Sequence, residues 1–176
     1  MSQIAVVDGQ RLTMPPGWWV WKYDDSSFHR NQFQSFAGGS KAMDAVALAD
    51  DGTLWLIEVK DYRRHPRTKP GSVFSEVAAK ARATLAGLVV ARVRANDQNE
   101  RVQAKQAMSC SQIRVALQLA QSRRPSRLFP QVIDPQDAQL ALKRELRAVD
   151  PHALCVVGSL NDNRLPWTTS AAALKG

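Results

Sequence analysis

The stretch from Asp44 to Lys60, DAVALADDGTLWLIEVK, constrains the fold more than any other part of the chain. Two apolar runs, Ala45 to Ala49 and Thr53 to Val59, flank Asp50-Asp51-Gly52, the signature of two strands joined by a tight turn. Side chains alternate across a strand. One face of the pair therefore shows Val46, Leu48, Leu54 and Leu56, and the other Ala45, Ala47, Trp55, Ile57 and Val59. With both faces apolar, the pair belongs inside a sheet that is covered on each side, here expected to be by helices.

Loop length decides which residues meet. A two-residue turn at Asp51-Gly52 sets Asp44 opposite Val59, whereas a three-residue loop pairs Ala49 with Thr53 and sets Asp44 opposite Glu58. Gly52 occupies the third place of such a loop, where φ is positive. The favoured register gathers Asp44, Glu58 and Lys60 on one face, and a slip by one residue scatters them. Charges at the end of a dry ladder cost roughly several kcal/mol each unless partnered. Two carboxylates repel, and Lys60 offsets one of the two charges. Mg²⁺, a hard cation that takes carboxylate, carbonyl and water oxygens, completes the balance, with Mn²⁺ able to substitute. Such a group suits phosphodiester hydrolysis: the metal polarises a phosphoryl oxygen and acidifies a water, while Lys60 orients that water, activates it or stabilises developing charge. The plainer alternative is a structural ion pair at a strand end.

Around this hairpin the chain reads as a single α/β domain over residues 1–176, with a core over about 18–160. IAVVDGQRLTM is a small hairpin turning at Asp8-Gly9, and WWVWKY a strand. The polar stretch from Asp24 to Lys41 is a short helix or an ordered loop. A long helix runs from about Ser72 to Ala95, with Val77, Ala81, Leu85 and Leu88 as its apolar stripe, and another from about Asn99 to Met108. QIRVALQLAQ is a strand, and RRPSRLFPQV a basic loop. Asp134 caps a helix reaching about Val149, and ALCVVGSL is a last buried strand. The expected fold is a central mixed sheet flanked by helices, with the N-terminal hairpin and the tail after Asn161 peripheral.

Lys and Arg number 24 against 16 acids, a formal net charge of +8, which favours an anionic partner, nucleic acid first. Directly after Lys60, Arg63, Arg64, Arg67 and Lys69, with His65, form a basic loop able to clamp phosphates, or simply a solvated one. Arg123, Arg124 and Arg127 make a second cluster with a weaker claim. Trp18, Trp19 and Trp21 suit core filling better than base stacking. Cys110 and Cys155 lack metal-ligand spacing, so neither zinc nor a disulfide framework is expected, and a cytoplasmic location fits. No signal peptide is read at the N-terminus, and no apolar run is long enough for a membrane partner.

The hairpin MDAVAL–ADDG–TLWLIEVK resembles the metal-binding hairpin of the PD-(D/E)XK nuclease superfamily, the restriction-endonuclease-like fold. The likeness spans roughly residues 18–121, and its specific content is three residues. It implies an αβββαβ core, Asp44 and Glu58 as metal ligands with the Val59 carbonyl as a third, and Lys60 as the catalytic lysine. Many members carry Gln or Lys on the following helix. Lys80 matches that place, a surface pair with Glu76 being the alternative. Met43 stands where the family pattern has proline. Many members also place an acid on a helix before the first strand, yet no glutamate precedes Glu58. Asp24 or Asp25 is the candidate, or both are turn and cap residues. The implied function is a Mg²⁺-dependent nuclease acting on DNA, with RNA as a second substrate class, in a homodimer or a larger complex. The alternative is a nuclease-like protein that binds nucleic acid without cutting, or cuts only with a partner.

Overall fold

A computed structural model describes residues 2–63, 67, 70–121, 133–158 and 161–172. Its strands in chain order are β1 (Ser2–Val7), β2 (Gln10–Pro16), β3 (Trp19–Trp21), β4 (Ala45–Leu48), β5 (Thr53–Asp61), β6 (Gln112–Ala120), β7 (Leu154–Gly158) and β8 (Thr168–Ala171). The helices are α1 (Val73–Arg94), α2 (Gln98–Ala107) and α3 (Pro135–Leu146). A mixed sheet runs β3-β4-β5-β6-β7: the first three strands are antiparallel, and β6 and β7 join in parallel across helical connections. A second sheet, β1-β2-β8, is antiparallel throughout. The chain is thus an α/β protein with a mixed sheet.

The turn chemistry of the central hairpin produces the register favoured by its sequence. The Ala49 N–H donates to the Thr53 carbonyl at 2.9 Å and the Gly52 N–H to the Ala49 carbonyl at 3.1 Å, closing a three-residue loop. Gly52 has φ 84°, and Asp51 Oδ1 accepts from the Thr53 N–H at 2.8 Å. Ala45 therefore pairs with Ile57 and Leu48 with Leu54.

The two faces of the sheet are covered differently. Val46, Leu54, Leu56, Val115, Leu117 and Leu119 pack under the helices, against Val77, Ala81 and Leu88 of α1, Ala104 and Ala107 of α2 and Leu142 of α3. Ser72 caps α1 through the Phe74 N–H, and Asp134 caps α3 through the Gln136 and Asp137 N–H groups. The opposite face, expected to carry helices, carries the small sheet instead. Ala45, Ala47, Trp55, Ile57 and Val59 meet Val7, Leu12, Met14, Leu165 and Trp167. The N-terminal hairpin and the tail are therefore not peripheral: β8 pairs with β2, and together they bury one side of the core. Period-two alternation in both segments supplies an apolar sheet face, which covers a neighbouring sheet as well as a helix does. The Trp55 ring sits edge-on to Trp167 at 5.2 Å, stacks with Trp18 at 6.5 Å and lies under the Arg114 guanidinium at 5.0 Å. Gln118 joins this layer by accepting from the Trp167 indole N–H at 3.0 Å and donating to Thr169 Oγ1 at 2.9 Å.

Smaller departures follow local chemistry. WWVWKY yields only the three residues of β3 before a 3-10 turn over Tyr23–Asp25, and the polar stretch beyond it holds a π-helical turn over His29–Phe33. Helix α3 stops at Leu146, short of Val149. Among the described residues no helix precedes β3; the hairpin stands where an αβββαβ core would have one. The basic loop with Arg123, Arg124 and Arg127 lies outside the described residues. Among those described, no helix is long and apolar enough to cross a membrane.

Candidate active site

The paired register of β4 and β5 ends at Ala45–Ile57, and the site is built where it ends. On β5 the next backbone group facing β4 is Val59, whose N–H donates to Asp44 Oδ2 at 2.8 Å in place of a strand carbonyl. This bond fixes the Asp44 carboxylate over the end of the hairpin. The preceding residue is tied to α1, since the Met43 N–H donates to Thr84 Oγ1 at 2.9 Å. Lys80, one helical turn before Thr84, shares that buried face of α1 and reaches the same place.

Four charges converge there. Glu58, with 0% exposure, accepts through Oε1 from Lys80 Nζ at 2.5 Å and lies 2.6 Å from Lys60 Nζ. Lys80 Nζ is also 3.6 Å from Asp44 Oδ1, so one ammonium bridges both carboxylates. Glu58 Oε2 is buried with no hydrogen-bond partner. Burial first, then the neighbouring Asp44 charge, push the Glu58 carboxyl up from 4.5 to about 7 against the opposing pull of Lys80 and Lys60. Burial draws the Lys60 ammonium down, but Glu58, Asp44 and Glu76 outweigh it and hold Lys60 above its ordinary value. The surface pairing of Lys80 with Glu76 does not occur. Lys80 is buried on Glu58, and Glu76 takes Arg67 instead. The four charges of Asp44, Glu58, Lys60 and Lys80 therefore cancel, where Lys60 alone leaves the group negative.

The structure separates the two upstream acids. Asp25 is exposed and tied to Lys22 and Arg30. Asp24 is partly buried, its Oδ1 lacks a partner, and it feels the charges of both Asp44 and Lys80. Burial foremost raises its carboxyl to about 6. His29, which sequence reasoning left without a role, is 6% exposed, with Nδ1 unpartnered. Burial and then the charges of Lys80 and Arg30 hold its imidazole below the ordinary range. Its place in a polar stretch of unsettled structure gave no signal; it lies in the π-helical turn and feels the charge of Lys80. Buried polar atoms without partners are rare in folded proteins, and Asp24, His29 and Glu58 each present one within the field of Lys80.

The basic loop is only partly described. Arg63 is held by Asp61 at 2.5 Å, and Arg67 by Glu76 at 2.8 Å and by the Tyr62 hydroxyl at 3.5 Å. Arg64, His65 and Lys69 lie outside the described residues. Trp18, Trp19 and Trp21 are packed against the two cores, as core filling requires.

Comparison with known proteins adds one likeness. A cysteine–tRNA ligase from Neisseria meningitidis is 28% identical over 163 aligned residues, covering 74% of this chain and 23% of that enzyme. The chain thus spans about a quarter of the length of the curated relative it matches. No protein family matches the chain. No solved structure matches it.

Proposed function

We propose that this protein is a divalent-metal-dependent nuclease of the PD-(D/E)XK kind, hydrolysing phosphodiester bonds of DNA, with RNA as the second substrate class. The observation that carries the reading is the convergence of Asp44, Glu58 and Lys60 at the end of one hairpin, with Glu58 fully buried and its Oε2 left without a partner. The succession β3-β4-β5-α1-β6, with β6 parallel to β5, agrees with the βββαβ part of that fold. An all-oxygen donor set of Asp44, Glu58 and the Val59 carbonyl fits Mg²⁺ or Mn²⁺, and the orphaned Glu58 oxygen is the atom a cation would satisfy. When bound, such a cation supplies Lewis-acid polarisation of the phosphoryl group and a more acidic water. Lys60, 2.6 Å from Glu58, is placed to orient the attacking water, to activate it or to stabilise charge on the pentavalent transition state. The basic loop after β5 grips phosphates, and the match to a tRNA ligase keeps RNA among the substrates to be tried.

A second reading, nucleic-acid binding without cutting or cutting only with a partner, is favoured by the Lys80 ammonium, which together with Lys60 already neutralises the carboxylate pair. Among the described residues, no three His, Cys, Asp or Glu side chains form a group able to hold a metal ion. Incubation with single- and double-stranded DNA and RNA, with Mg²⁺ or Mn²⁺ and with EDTA, decides between the readings. Metal-dependent cleavage that disappears in Asp44→Asn and Glu58→Gln supports the nuclease. Retained binding with no cleavage on any substrate supports the second reading.

A further inference from the structure

Lys80 lies against both carboxylates that would hold the proposed cation. Its ammonium is 2.5 Å from Glu58 Oε1 and 3.6 Å from Asp44 Oδ1, on a side chain 10% exposed. A divalent ion held by Glu58 Oε2 and the Asp44 carboxylate would lie beside that ammonium and be strongly repelled by it in so dry a place. For metal to enter, the ammonium has to leave, and a lysine stem with four rotatable carbons allows it to. A displaced ammonium in a buried setting then needs another anion. Asp25 is engaged by Lys22 and Arg30, and Glu76 by Arg67. Asp24 remains: its buried Oδ1 has no hydrogen-bond partner, and it feels the charge of Lys22 most and that of Lys80 more weakly.

We propose that Lys80 is a resident cation of the Asp44–Glu58 pair, which an entering divalent metal displaces onto Asp24. Asp24 is then a positioning residue, the second docking point of the Lys80 ammonium, and not a metal ligand. The proposal rests on the metal-dependent reading above and extends it. It explains why the four side chains are electrically balanced, with Lys80 matching the charge that Lys60 leaves over. A tethered competitor also lowers apparent metal affinity by the fraction of time it holds the site, and any alternative anion for the ammonium relieves that competition.

The test is Mn²⁺ binding to the full chain, by titration calorimetry and by the electron paramagnetic resonance signal of free Mn²⁺, at about pH 8. Lys80→Met removes the competitor and should tighten Mn²⁺ by about tenfold or more. Asp24→Asn should weaken binding by about tenfold when Lys80 is present and by less than about twofold in the Lys80→Met background. Asp24→Glu should restore binding. If Lys80→Met does not fold, Lys80→Gln, which keeps a donor for Glu58, carries the same comparison. An Asp24→Asn loss of equal size in both backgrounds makes Asp24 a direct ligand and overturns the proposal. Binding no tighter without Lys80 than with it overturns the exchange while leaving the metal site standing. Failure of Mn²⁺ to bind any of these proteins overturns both the exchange and the metal-dependent function.

Discussion

Replacing Glu58 by Gln should make the protein more stable above neutral pH, and the size of the gain follows from the site. Glu58 is fully buried, and its carboxyl is raised from 4.5 to about 7. Between those values the folded chain keeps a proton that the unfolded chain has released. Stability therefore falls as pH rises through that window. One pKa unit corresponds to about 1.4 kcal/mol, so the loss between about pH 4 and pH 8 is on the order of 3 kcal/mol. Gln keeps the shape of the protonated acid and has no such loss. The two proteins should be nearly equal at about pH 4.5, and the variant ahead by up to about 3 kcal/mol at about pH 8. Urea unfolding followed by tryptophan fluorescence suits the measurement, since Trp21, Trp55 and Trp167 are buried. A stability difference that does not change with pH would refute the reasoning, because Lys60 and Lys80 would then fully offset the burial of the charge. A group that costs stability in its working form is better explained by a task than by support of the fold.

Lys60→Ala should abolish cleavage while leaving nucleic-acid affinity nearly unchanged, as read from paired binding and rate measurements, because one charge adds little to an affinity spread over many phosphates but acts at the transition state. Changing Arg63, Arg64 and Arg67 together to Ala should make the salt dependence of binding shallower by up to roughly one unit of slope for each phosphate the loop no longer grips; an unchanged slope would assign the loop to solvent. Gly87→Ala would place a methyl 2.2 Å from the Tyr23 hydroxyl and should lower stability by about 2 kcal/mol. Tyr23→Phe, which removes a buried hydroxyl without a partner, should recover most of that loss in chemical unfolding. Trp167→Ala should cost about 3–5 kcal/mol, far more than a loosely held tail would show.

The central hairpin was legible because its information is local. Loop length and Gly52 fix strand parity, and parity alone brings Asp44 and Glu58 to one face. Helix α1 was legible from its apolar stripe, but the direction of Lys80 was not: a lysine four residues after a glutamate reads as a surface pair until Glu58 is known to lie beneath it. Of Asp24 and Asp25, the deciding fact is that Lys22 and Arg30 capture the second, a matter of the 3-10 turn and not of residue type. The small sheet was missed because β8 is short and polar and finds its partner from the far end of the chain. The alternation of buried Leu165, Trp167 and Thr169 was its available signal.

That small sheet has a consequence for the order of events during synthesis. Trp55, Ile57 and Val59 leave the ribosome after β1 and β2, yet the residues that complete their cover, Leu165 and Trp167, lie just ahead of β8 and follow only after β7. Until β8 emerges, the incomplete sheet keeps an open edge on β2 and part of a tryptophan-rich face in water. The charged cluster, on the other side of the main sheet, depends on β4, β5 and α1, all of which emerge before β6. A nascent chain stalled before Leu165 would therefore hold every residue of the candidate site while remaining prone to aggregate through its opposite face.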